Sequence, residues 1–223
     1  MTSSLIISYD GTSNDDDALT LGRMLAPAGF RLALAYVRHS PEFDPAREEL
    51  AQHDAEQRLE RGAALLGDVE VTRHIVFGAA TGLRLRQLAE SEGASAVVFG
   101  SDYRTAVGHV EPGTSAQHML DGGPVPVAIA AAGLRANPAA TVTSIAVPLA
   151  GPTNELARQT ARALAEKLGA EVVESPHPAD LLVVGSQPGA PDGHVVVGGD
   201  VRGELNNARS SVLVLPAGVA VLP

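Results

Sequence analysis

The chain has 223 residues, a net charge of −10, 45% apolar residues and no cysteine. Its length allows one large domain or two modest ones, and the apolar share is enough for a buried core. The lack of cysteine excludes disulfides, thiol catalysis and thiolate metal sites. An acidic balance without a basic run argues against a nucleic-acid backbone binder and against anionic membranes.

The first apolar run, "SLIIS", has no charged region before it and is too short for a leader. No segment reaches the roughly 20 apolar residues that span a bilayer, so a soluble, cytoplasmic protein is expected. "LIISY" is short, apolar and followed by turn chemistry at Asp10 and Gly11, which predicts a buried strand. From Asn14 to Ala28, apolar residues at Ala18, Leu21, Met24 or Leu25, and Ala28 have helical spacing. Ser13 or Asn14 is the expected N-cap, and Asp15, Asp16 and Asp17 suit a solvated first turn that complements the helix dipole. Consecutive helical residues diverge by about 100°, so the three acids do not converge on one ion.

"LALAYV" predicts the second strand. Pro45 suits the first turn of a long helix whose inner face runs through Ala51, Ala55, Leu59, Gly62 and Leu66. "VEVTRHIVF" is the third strand; Leu85, Leu88 and Ala89 mark the third helix, with Arg84 and Arg86 on its solvated side. "ASAVVFGS" is a strand ending at Gly100, Gly113 to Leu120 a short helix, and "PVPVAIA" a fifth strand. Strand and helix alternating in this way imply right-handed crossovers and a parallel sheet. The expected class is α/β, Rossmann-like.

"AAGLRANPAAT" has the composition of a linker, and the remainder of the chain retraces the first part. "VTSIAVPLAGPTNELARQTARALAEKLGAEVVES" repeats strand, loop, helix and strand; "ADLLVVGSQ" echoes "ASAVVFGSD", and "SSVLVLPAG" echoes "VPVAIAAAG". The stretch from Pro45 to about Thr81, and most of the next helix, has no counterpart. The expectation is a tandem repeat: a complete domain at 1–133, a linker at 134–140 and a truncated, degenerate domain at 141–223.

The chemistry concentrates in "GSDYRTAVGHVEPGTSAQHML". Gly100 ends a strand, where glycine permits close backbone approach, and Gly113, Thr114 and Ser115 open a helix with N–H and hydroxyl donors suited to an anion. His109 lies in the loop between them, within reach of the same anion. Here the sequence resembles the universal stress protein family, whose nucleotide-binding members carry G-x2-G-x9-G-[ST]. Gly100, Gly113 and Thr114 fall on that pattern, and Tyr103 stands where its second glycine would be. The resemblance implies an adenine nucleotide alpha hydrolase-like fold binding ATP, with Mg2+, in a stress response, with at most slow hydrolysis. It places Asp10 beside the adenosine, the backbone of Val37 at the adenine edge, and Thr114 and Ser115 at the phosphates. It also implies that the last strands of the two copies pair as an internal pseudo-dimer, and leaves open a further homodimer.

The alternative is an interaction scaffold without nucleotide, in which Tyr103 fills the site. In the second copy Gly185, Pro188, Gly198 and Gly199 have the corresponding spacing, but Val147 and Pro148 end its first strand without an aspartate. His39, His53, His74, His109, His118, His177 and His194 show no paired ligand spacing, so no zinc site is expected. A P-loop and a G-x-G-x-x-G turn after the first strand are both missing.

Overall fold

Strands rich in Val, Ile and Leu without polar alternation need cover on both faces, and here helices supply it on both sides of one sheet. The computed structural model describes residues 3–148, 154–174, 176 and 178–223; His177 lies outside them. In chain order the elements are β1 (Ser4–Ser8), α1 (Ser13–Leu25), β2 (Arg31–Arg38), α2 (Pro45–Leu65), β3 (Val71–Phe77), α3 (Thr81–Glu92), β4 (Ala96–Gly100), α4 (Thr114–Leu120) and β5 (Val127–Ala130). The second half adds β6 (Ser144–Val147), α5 (Asn154–Leu168), β7 (Glu171–Glu174), β8 (Leu181–Gly185), α6 (Gly199–Asn207) and β9 (Ser211–Leu215).

The nine strands among the described residues form one sheet in the order β3-β2-β1-β4-β5-β9-β8-β6-β7. The pairings of these strands are parallel except that of β5 with β9, which run antiparallel with Ala128 opposite Leu213. Neighbouring residues of a strand point to opposite faces. Ile7 therefore joins Leu21, Leu59 and Leu164 under α1, α2 and α5, while Ile6 joins Leu85, Met119 and Leu205 under α3, α4 and α6. Burying each such side chain contributes about 1.5–3 kcal/mol.

The second half repeats the backbone bonding of the first. Arg31 and Glu171 each donate to the carbonyl before their half's first strand, at Ser3 and Thr143. Ser101 Oγ donates to the Ala130 carbonyl at 2.7 Å, and Ser186 Oγ to the Leu215 carbonyl at 2.8 Å. The N–H of Glu111 meets the first hydroxyl, and that of Val196 meets the second. Beyond these, Gly108 and Gly193 donate to Ala132 and Ala217 respectively.

Two features of α1 differ from expectation. Its N-cap is Thr12, not Ser13 or Asn14. The Thr12 N–H and hydroxyl both donate to the Asp15 carboxylate, at 2.9 and 2.8 Å. Asp17 is not a solvated acid: it is 1% exposed. It accepts from the Gly133 N–H at 2.9 Å, the Arg135 N–H at 2.7 Å and the Arg135 guanidinium at 2.6 Å. These bonds fasten a 3-10 turn at Leu134–Ala136 to α1, within the segment between the two halves.

Candidate functional site

Strand order reverses at β1, whose neighbours are β2 and β4. In an open parallel sheet the crevice beyond the strand ends at such a point is where ligands bind. Tyr9 extends the pairing one residue past β1, its N–H donating to the Ala35 carbonyl at 3.0 Å. Asp10 follows, then Gly11 with φ 83°, a left-handed conformation that favours glycine. The Asp10 N–H donates to the Asp15 carboxylate at 3.0 Å, folding the loop onto the start of α1.

From the other side, α2 reaches over this loop. Arg58 donates to the Asp10 carbonyl at 2.8 Å and Arg61 to the Gly11 carbonyl at 2.7 Å. The Arg58 guanidinium also lies 4.8 Å from the centre of the Tyr36 ring. With Asp10 and Gly11, the α2 residues Asp54, Gln57, Arg58 and Arg61 line a cleft of about 400 Å³. Sequence reasoning followed the apolar side of α2 and missed these four. Their spacing of three and four residues, which puts them on one helical face, was the available signal.

The Asp10 carboxyl is partly open to solvent but walled by this cleft. Loss of hydration pushes its pKa up, and the nearby Asp15 adds to the rise, against opposing pulls from Arg58 and His39. Burial likewise raises Asp15, although hydrogen bonds from Thr12 and Asp10 favour its ionised form.

Val37 is 2% exposed, near the end of β2. Along a strand, backbone groups of alternate residues face the same neighbour. Because the Ala35 carbonyl meets Tyr9, the N–H and C=O of Val37 face the same side, past the end of β1. They border the space beside Asp10.

The glycines of the β4–α4 loop have different roles. A Cβ on Gly100 would lie 2.6 Å from the Asn14 carbonyl carbon and 3.1 Å from the Asn14 Cβ. Gly100 therefore lets α1 pack on the end of β4, and Asn14 Nδ2 secures the contact by donating to the Ser101 carbonyl at 2.8 Å. Around Gly113, by contrast, nothing among the described residues lies within 4 Å of where a Cβ would stand. Its φ of −70° is open to any residue. Thr114 and Ser115 follow in the first turn of α4, Thr114 exposed and Ser115 half-buried.

Tyr103 stands outward, 75% exposed, with the Arg104 guanidinium 5.0 Å from its ring centre. Much of the loop is closed on itself: the Asp102 N–H donates to the Glu111 carbonyl, that of Thr105 to Asp102 and that of His109 to Ala106. His109 Nδ1 lies 2.9 Å from Arg209 Nη1, just before β9. The structure thus engages this histidine with the other half of the chain.

In the second half, the Gln187 side chain occupies the space a Cβ on Gly198 would need. Val147 and Pro148 are buried. The described residues contain no group of three or more His, Asp or Glu placed to hold a metal, and no helix long and apolar enough to cross a membrane.

Residues 1–131 match the family model described as the universal stress protein family. In structure the chain is similar to a universal stress protein from Archaeoglobus fulgidus DSM 4304, at 14% identity and a TM-score of 0.71, covering 98% of this chain and 100% of that one. It is also similar to a functionally unknown protein from Pseudomonas aeruginosa PAO1, at 13% identity and a TM-score of 0.61, covering 97% and 93%. At these identities the likeness concerns the fold. No curated protein matches the chain.

Proposed function

Because the chain belongs to the universal stress protein family, we propose that its first half binds an adenine nucleotide, ATP, and that this binding serves a stress response. The nucleotide lies in the crevice beyond β1, β2 and β4. The observation that carries the reading is the open space at Gly113 together with the outward Tyr103. The ring that replaces a family glycine stands in solvent, and the start of α4 stays accessible.

Each residue then has a role its chemistry suits. The Asp10 carboxylate accepts from ribose hydroxyls, and the Val37 backbone offers one donor and one acceptor to the adenine edge. Gly113 allows close approach, and the Thr114 and Ser115 hydroxyls donate to phosphate oxygens. Magnesium entering with ATP would be held by phosphate and water oxygens. Gly100 serves the site at one remove, by seating α1. The reading is one of binding rather than turnover.

We read the second half as a trimmed, degenerate copy (141–223) of the complete domain at 1–133, joined through 134–140. The shared hydrogen-bond scheme and the β5–β9 pairing support an internal pseudo-dimer of the two. The rival reading, an interaction scaffold without nucleotide, is favoured by the loop N–H groups already bonded within the loop.

Calorimetry with ATP and magnesium separates the two, alongside native mass spectrometry of the purified chain. Binding that Asp10→Ala weakens by roughly 10-fold or more, the value of a charged hydrogen bond, and that Gly113→Leu abolishes, supports the proposal. No heat and no co-purified nucleotide refute it.

A further inference from the structure

The cleft beside Asp10 has walls of both signs. Asp10 and Asp54 bring carboxylates to it, Arg58 and Arg61 guanidinium groups and Gln57 an amide, around about 400 Å³. Asp10, Asp54, Gln57 and Arg61 are exposed and Arg58 is half-buried, so the chain itself leaves this surface open.

Opposite charges so placed ordinarily cancel one another. Asp54 stands four residues before Arg58, a spacing at which helical ion pairs form. Among the described residues, however, the ion pairs lie elsewhere, at Arg38, Arg86, Arg104 and Arg135. Arg58 and Arg61 instead each donate through one nitrogen to a loop carbonyl, at Asp10 and Gly11. The Arg58 group is held further by the Tyr36 ring. A guanidinium carries several N–H donors in a rigid fork, so these contacts orient both groups at the loop and still leave donors for the cleft.

Two cations and two anions balance, so the ligand that suits them joins an anionic group to hydroxyl donors. Carboxylates accept from hydroxyls, and paired guanidinium groups match the oxygens of a phosphate. A phosphorylated sugar carries both on neighbouring atoms. Asp10 is also the residue that accepts from ribose hydroxyls in the nucleotide reading, and the Arg58 charge acts on its carboxyl. A phosphate on one of those hydroxyls enters the cleft beside Arg58 and Arg61, while the other hydroxyl stays on Asp10.

We propose, resting on that reading, that the first-half site selects adenine nucleotides bearing a further phosphate on the ribose 2′ or 3′ oxygen, bound by Arg58 and Arg61. The proposal thereby names a narrower ligand class for the same site.

Calorimetry on the full chain compares AMP with adenosine 2′,5′-bisphosphate and adenosine 3′,5′-bisphosphate, which share its base, ribose and 5′-phosphate. The tighter of the two bisphosphates is expected to bind about 10-fold or more tighter than AMP. Arg58→Gln and Arg61→Gln are each expected to pull that ratio toward one. A merely structural part in holding the loop would weaken AMP and the bisphosphate alike and keep the ratio.

Equal binding of AMP and both bisphosphates by the parent chain overturns the proposal and leaves nucleotide binding standing. A ratio that neither variant changes overturns it as well, since the arginines then do not read the added phosphate. No binding of any of the three, nor of ATP, removes the nucleotide reading and the proposal with it.

Discussion

Replacing each motif glycine by serine distinguishes a packing role from a clearance role. At Gly100 the new Cβ would fall 2.6 Å from the Asn14 carbonyl carbon, against backbone that cannot rotate away. Forcing one carbon into such a contact costs about 1–3 kcal/mol. The displaced first turn of α1 also loses the Asn14–Ser101 bond, worth about 1 kcal/mol. The expected loss is therefore about 2–4 kcal/mol, a large part of the ~5–15 kcal/mol that holds a typical fold. Gly113→Ser meets open space at a helix N-cap, where serine is favourable, so its stability should change by less than about 1 kcal/mol. Urea unfolding without ligand measures both. With a slope of roughly 2–3 kcal/mol per molar, Gly100→Ser should lower the midpoint by about 1 M while Gly113→Ser leaves it nearly in place. Equal midpoints for the two variants would refute the packing role assigned to Gly100.

Three further outcomes rest on the carboxylates of Asp17, Asp10 and Asp180. Asp17→Ala leaves two backbone N–H groups and a guanidinium without their acceptor, and should cost about 3 kcal/mol in denaturant unfolding; a loss below about 1 kcal/mol would show that the turn finds other partners. For Asp10 the folded-state pKa is raised, chiefly by burial and then by Asp15. Its contribution is fully present below the unfolded value near 4 and is lost as pH rises through the folded one. Asp10→Asn should therefore be more stable than the parent at neutral pH and flatten the decline above about pH 4; a less stable variant at neutral pH contradicts this. Asp180 has the opposite sign: burial opposes its ionisation, but hydrogen bonds from Thr143 and Ser144 outweigh that and lower its pKa. Its contribution is present above about pH 4 and fades as pH falls through the folded value, so the acid limb of the stability curve should be shallower in Asp180→Asn.

Much of the architecture was legible because it is local. "LIISY", "LALAYV" and "ASAVVFGS" lie on β1, β2 and β4, and the apolar spacing from Ala18 to Leu25 lies on α1. Burial period and strand length belong to each segment alone. The cap was off by a residue or two, since Thr12, Ser13 and Asn14 are all good caps and only the reach of Asp15 back to Thr12 decides among them. The crossovers implied parallel neighbours, whereas the antiparallel contact of β5 with β9 joins two halves with no crossover between those strands.

The sequence by itself determined the order of most elements, the α/β class and the glycine spacing from Gly100 to Gly113. Only the tertiary structure decided what those residues touch. It put Asn14 against Gly100, brought Arg58 and Arg61 over the Asp10 loop, buried Asp17 under Arg135 and joined His109 to Arg209. Periodicity encodes which side of an element is buried, but a partner dozens of residues away is selected by packing. A carboxylate near the start of a helix looks the same in sequence whether it meets water or, like Asp17, is buried against a guanidinium.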